Sequence, residues 1–291
     1  VQESADSYRR FIIRDGDSVV RHWLRQGASG WRLDVADELP DDFIAEIRSA
    51  MDQEKPDSFL LGEVWEDGSN KIAYSRRRRY LLGRETHGLM NYPLRTATLD
   101  YIRGGSAAAF RATMEEQREN YPPAAFYSGL NILGTHDTPR ILTLLGADAI
   151  PDSKEARAAY HLSPEARQLA VRRLTLAAML LYTFPGSPTL YYGDEAGMEG
   201  FEDPMNRRGF PWGREDRRLL ALYRTLGRLR KERRSLQSGD ITYLTADGGL
   251  LIYRRTLDGE STYTVLNTGG TTRTVTLPWN NGFAMDAVSM Q

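Results

Sequence analysis

Short apolar runs alternate with stretches of helical spacing from about residue 30 to about residue 233, and this alternation constrains the fold more than any other feature of the chain. GWRLDVA, starting at Gly30, precedes Pro40 to Met51, where Phe43, Ile44 and Ile47 recur at helical spacing. SFLLGEVW (58–65) leads into a polar loop, GLMNYP (88–93) into a mostly helical stretch from Thr96 to Asn120, and LNILGTHD (130–137) towards a helix over Arg167 to Tyr182. SPTLYYGDE (187–195) precedes a helix over Asp216 to Arg233. Five such repeats are the pattern of parallel βαβ units. Ahead of them, residues 17–27 place Val19, Val20, Trp23 and Leu24 on one helical face and end at Gly27, a C-cap residue. The polar, proline-bearing stretch from Ala147 to Pro164 reads as an excursion above the sheet.

After residue 233 the period changes from 3.6 to 2. ITYL, LLIYRR, TYTVLN and TRTVTLP are separated by DGG, DGE and TGG turns, which predicts a small antiparallel β domain over 236–291. The domain expectation is therefore 1–235 and 236–291.

Composition matters for what it excludes. A net charge of −1 favours neither nucleic acid nor an anionic membrane surface, and the short basic run Arg76 to Arg79 reads as a solvated face. No stretch approaches the roughly 18 apolar residues of a membrane span. The absence of cysteine removes disulfides, thiolate metal sites and cysteine nucleophiles, and leaves the compartment open.

If the parallel strands close into a barrel, their C-terminal ends converge on one face, where barrel enzymes place their chemistry. Read in order, those ends carry Arg32 and Asp34, then Glu63, then His136 and Asp137. A single Asp after a strand is more often a helix cap than a catalyst, and Asp37, just ahead of Leu39-Pro40, reads as such a cap. His136 alone would be an ordinary structural histidine. Three carboxylates on three strand ends are harder to explain by caps, because acids are costly there unless paired or functional.

GWRLDVADE, LGEVW and LGTHDTPR together resemble three consecutive signature regions of the α-amylase superfamily. YYGDEAGMEGFEDPMNRRGFPW (191–212) resembles its neopullulanase, cyclomaltodextrinase and maltogenic amylase branch. The resemblance covers nearly the whole chain and implies an α/β fold: a (β/α)8 TIM barrel, with strands four to eight present here, followed by a small antiparallel β-sandwich. It implies a retaining glycosidase acting on α-glucans, with Asp34 as nucleophile, Glu63 as acid/base and Asp137 as the third carboxylate. Such an enzyme needs its two working carboxyls about 5–5.5 Å apart. Arg32 would orient Asp34, and His136 with Asp137 would grip ring hydroxyls. Trp65 would be an aromatic platform or an ordinary packed tryptophan. Asp203 and Arg207 would act beyond the cleaved sugar or form a local surface ion pair. His22 reads as surface, His87 as bordering a strand, and Tyr191-Tyr192 as barrel packing.

A glucanotransferase would use the same carboxylates, and a catalytically silent carbohydrate-binding or scaffolding protein would need none of them. No cofactor is implied for the chemistry. Structural calcium is a family feature that cannot be read from this chain, and no metal ligand is assigned. The superfamily's first signature region, an Asp followed by Asn-His, is absent, as is the inserted small domain. The expectation is that a further N-terminal polypeptide supplies barrel strands one to three, because an open part-barrel would expose unpaired edges.

Overall fold

The computed structural model describes residues 2–278, which divide into two compact units: residues 2–94 with 113–131, and residues 95–112 with 132–278.

In the first unit, β1 (Gly30–Leu33), β2 (Phe59–Gly62), a small hairpin of β3 (Ile72–Ala73) and β4 (Arg76–Arg77), β5 (Gly88–Asn91) and β6 (Leu130–Asn131) follow in chain order. β1, β2, β5 and β6 form a parallel sheet in that order. Gly30 opposite Phe59 is the one residue that fits its place, since a Cβ there would lie 1.9 Å from the Phe59 carbonyl oxygen. β5 is buried along its whole length, as a parallel strand covered on both faces must be. Its one polar side chain is satisfied: Asn91 donates to Asn131 Oδ1 at 3.1 Å and accepts from Gln117 Nε2 at 3.0 Å and the Leu94 N–H at 3.1 Å.

The helix Asp41–Glu54 buries Phe43, Ile44, Ile47, Ala50 and Met51. Asp41 and Asp42 complement the dipole at its start, and Lys55-Pro56 stops it. Asp37 is not its cap: no side chain caps this helix, and Asp37 instead accepts from the Tyr80 hydroxyl. The helix Val19–Arg25 buries Val20 and Leu24 and ends against Gly27, whose φ of 108° is easily adopted without a Cβ. Trp23, expected on the buried face, is 53% exposed; a seven-residue helix presents too narrow a stripe to cover it as well.

The second unit contains β7 (Ser187–Pro188), β8 (Asp240–Asp247), β9 (Leu250–Leu257) and β10 (Glu260–Asn267). The helix Pro164–Thr183 opens with Ser163 accepting from the Ala166 N–H and Pro164 in the first turn, and it buries Ala170, Leu174, Ala177, Ala178 and Leu181. The helix Arg217–Glu232 is capped by Asp216, which accepts from the Arg218 and Leu219 N–H groups. It packs Tyr223 and Leu226 against Ala178. β8, β9 and β10 form an antiparallel meander, its second turn made by Asp258 (φ 47°) and Gly259 (φ 83°). Arg255 is fully buried in it and donates to the Gly239 and Thr183 carbonyls at 2.9 Å each.

Three sequence expectations need correction here. The run 187–195 is strand only at Ser187–Pro188, because Pro188 has no N–H for a ladder and Gly193 (φ 88°) turns the chain. The stretch 96–120 is two helices, parted at Gly104 (φ 108°) and Gly105. TRTVTLP, read as a fourth strand, is irregular over its described residues 272–278: period two makes a strand only where an edge pairs with it. The described β region is accordingly one three-stranded sheet, and the remainder of the segment expected to complete it (279–291) lies outside the described residues.

Candidate active site

In the first unit the acids sit where strand register puts them. Leu33 pairs with Gly62 across β1 and β2, so the next residues, Asp34 and Glu63, leave the sheet together at its C-terminal edge. The ladder extends past both: the Glu63 N–H donates to the Leu33 carbonyl and the Ala36 N–H to the Glu63 carbonyl, each at 3.0 Å. Neighbouring strands lie about 4.8 Å apart, close to the separation a retaining carboxyl pair requires.

One guanidinium serves both acids. Arg32 donates from Nη1 to Asp34 Oδ1, and its Nη2 lies 2.8 Å from Glu63 Oε2, an ion-pair contact rather than an aligned hydrogen bond. The surroundings of the two acids differ sharply. Glu63 is 4% exposed and accepts from the Val35 N–H (3.0 Å), Trp65 Nε1 (3.1 Å) and the Tyr92 hydroxyl (3.4 Å). The Asp34 side chain is 73% exposed. An exposed, cation-paired carboxylate beside a buried, multiply held one is an arrangement that can divide nucleophile from proton carrier. Trp65 is half exposed and stacks on Tyr92 with ring centroids 4.4 Å apart.

In the second unit the other predicted residues converge. His136 Nε2 lies 3.1 Å from Asp137 Oδ2, Arg207 Nη2 donates to Asp137 Oδ1 at 3.2 Å, and Arg207 Nε lies 3.3 Å from Asp203 Oδ1. The backbone is fixed from two sides: Asn206 donates to the His136 and Thr138 carbonyls at 2.7 and 2.9 Å, and the Asp137 N–H reaches Thr135 Oγ1 at 3.2 Å. Arg140, fully buried, pairs with buried Asp194 at 3.2 Å, donates to the Tyr192 carbonyl and lies over the rings of Tyr191 and Tyr192. Burial pushes the Asp194 carboxyl up to about 7, against the pull of Arg140. The two tyrosines are therefore not plain packing: Tyr192 is 39% exposed and donates to the Arg208 carbonyl. Among the described residues no group of three or more Asp, Glu, His or Cys side chains is placed to hold a metal, and no helix is long and apolar enough to cross a membrane.

Residues 8–211 match the family described as alpha amylase, catalytic domain. The chain belongs to the α-amylase family. Within that family it is 37% identical over 276 residues to an amylopullulanase of Thermoanaerobacter thermohydrosulfuricus, a match covering 88% of this chain and 18% of that protein. It is 33% identical over 277 residues to a cyclomaltodextrinase of Geobacillus thermopakistaniensis, covering 93% of this chain and 41% of the other. Among solved structures it resembles the native form of the Nostoc punctiforme debranching enzyme with a TM-score of 0.76 at 29% identity, covering 92% of this chain and 52% of that one. The chain thus spans well under half the length of these two curated relatives.

The α-amylase-family signature regions were legible in sequence because each is a short local string at a strand end. The support around them was not. Tyr92 and Asn206 act through contacts 29 and 70 residues away. Their only local signals are a tyrosine closing an apolar run and an asparagine in a charged loop. His22 is exposed, as read; His87 is half-buried, accepts the Leu60 N–H on Nδ1 at 2.9 Å and stacks on Phe59, so it ties the sheet together.

Proposed function

We propose that this chain carries the working carboxylates of a retaining hydrolase of α-glucosidic bonds, mainly α-1,4 with α-1,6 as an additional linkage, in maltodextrin, starch, cyclodextrin or pullulan. The observation that carries the proposal is the single Arg32 guanidinium held between an exposed Asp34 and a buried Glu63 at paired strand ends. In the first step an Asp34 oxygen attacks the anomeric carbon while the bond to the leaving oxygen breaks and Glu63 gives that oxygen its proton. In the second, Glu63 takes a proton from a water that attacks the same carbon, and Asp34 departs as carboxylate.

Asp137 and His136 are proposed to bind ring hydroxyls of the sugar being cleaved, Trp65 to stack on the sugar beyond it, and Asp203 with Arg207 to hold a more distant unit. The names of the relatives, amylopullulanase and cyclomaltodextrinase, support the substrate class. The four parallel strands β1, β2, β5 and β6, with the short β7, are read as strands four to eight of a (β/α)8 barrel, with residues 1–235 belonging to the barrel and 236–291 to an appended β domain. The remaining strands are proposed to come from polypeptide outside these 291 residues, laid along the edge strand β1, which among the described residues pairs on one side only.

Assays on maltodextrin and pullulan with the complete enzyme test the chemistry. Asp34→Asn and Glu63→Gln are each expected to lower kcat by about 10³-fold or more. A loss of only a few-fold in either variant rejects the assignment.

A further inference from the structure

The basic run Arg76 to Arg79 reads from sequence as a solvated face, and three of its members are exposed, but the Arg78 side chain is only 3% exposed. Its Nε donates to Asp41 Oδ1 at 2.6 Å and its Nη1 to the Asp37 carbonyl at 2.7 Å. Its Nη2 donates to the Leu39 carbonyl and, at 3.4 Å, to the Ala36 carbonyl. The guanidinium lies over the Tyr80 ring at 4.6 Å. One side chain thereby satisfies the carbonyls of Ala36, Asp37 and Leu39, the turn that directly follows Asp34 and Val35. Two more side chains from the same segment hold this turn: the Tyr80 hydroxyl donates to Asp37 Oδ1 at 2.8 Å, and Lys71 Nζ lies 3.0 Å from Asp37 Oδ2.

The turn requires such a hold. Val35 is left-handed, with φ 41° and ψ 58°, a conformation that costs a β-branched residue on the order of 1–3 kcal/mol. Its side chain is 46% exposed, so packing offsets little of that cost. In this conformation the Val35 N–H reaches Glu63 Oε2, and the adjoining peptide aims Asp34.

We propose that Arg78 is a positioning residue: by gripping three successive-turn carbonyls it keeps Val35 left-handed, which sets both the Asp34 carboxylate and the N–H donated to Glu63. None of its hydrogen bonds goes to Asp34 or Glu63, so it acts through the backbone. Lysine cannot replace it, because three carbonyls and a carboxylate are met by a planar fork of donors and not by a single ammonium. The proposal rests on Asp34 and Glu63 being the nucleophile and acid/base.

The test is Arg78→Lys in the complete enzyme, with kinetics and native-state hydrogen exchange measured together. The expected result is a kcat about 10- to 100-fold lower with KM changed much less, the scale of a small misplacement of reacting groups. The Val35 and Ala36 amides should also exchange faster. Adding Val35→Gly should recover part of the lost kcat, since glycine holds the left-handed conformation without the clamp. A kcat within about twofold of the parent, or unchanged exchange at Val35 and Ala36, overturns the proposal. Should Arg78→Lys not fold, Tyr80→Phe removes one hold on Asp37, and the same two amides must respond. If the parent hydrolyses no glucan, or Asp34→Asn stays active, the functional reading falls, while the exchange data still decide whether Arg78 holds the turn.

Discussion

Arg32 does work that its neighbours cannot share. It lies two residues before Asp34 on the same strand face and 31 residues from Glu63 in sequence, yet its head group touches both. Replacing it by lysine keeps the charge and loses the fork, so Arg32→Lys is expected to lower kcat/KM by about 10²-fold or more while leaving the melting temperature nearly unchanged; parallel kinetics and calorimetry check this. Gly134, two residues before His136, shows the opposite kind of constraint. A Cβ there would lie 2.3 Å from Asp194 Oδ2. Gly134→Ala should therefore destabilise the protein by roughly 1–3 kcal/mol, measured by denaturant unfolding, because the buried Asp194–Arg140 pair cannot move aside freely.

At the scale of elements, the segment between β2 and β5 is the least legible part of the chain. Its hairpin is small and its composition polar, yet it carries Arg78 and Glu85 into buried positions. Glu85 is 2% exposed, and burial, reinforced by the charge of Asp41, pushes its carboxyl up to about 7. A carboxyl raised in the folded state adds stability that is fully present below its unfolded value near 4.5 and is lost as pH climbs through about 7. Glu85→Gln should flatten that part of the stability–pH profile, by up to roughly 3 kcal/mol between pH 4.5 and 8, as read from urea unfolding across that range. Helix caps divide: Asp37, read as a cap, is held by Tyr80 instead, whereas Asp216 caps its own helix. Asp216 ahead of Arg217–Glu232 is visible in sequence and accepts the N–H groups of Arg218 and Leu219, the second and third residues of its helix.

For the whole molecule, the parallel sheet of the first unit stops at β1, whose outer edge has no strand partner among the described residues. An unpaired parallel edge recruits further strands or aggregates. On the proposal that further polypeptide completes the barrel, residues 1–291 produced alone should aggregate, and the same residues produced together with that polypeptide should not. Light scattering on both preparations checks this, and an isolated chain that stays monomeric and active would falsify the proposed completion of the barrel.

The sequence alone determined the alternation of strand and helix, the change of period after residue 233, and the strand ends on which Arg32, Asp34 and Glu63 stand; the run 130–137 is strand only at Leu130–Asn131, so His136 and Asp137 stand in the turn beyond it. Each of these is written in contiguous residues, where periodicity and short motifs act directly on the backbone. Tertiary structure decided which neighbours complete them: Arg78 reaching back 41 residues to Asp37, Tyr92 reaching Glu63, and Val35 held left-handed between them. A charged or strained residue is tolerated in such a place only when partners from distant segments surround it, and local sequence carries no record of which segments those are.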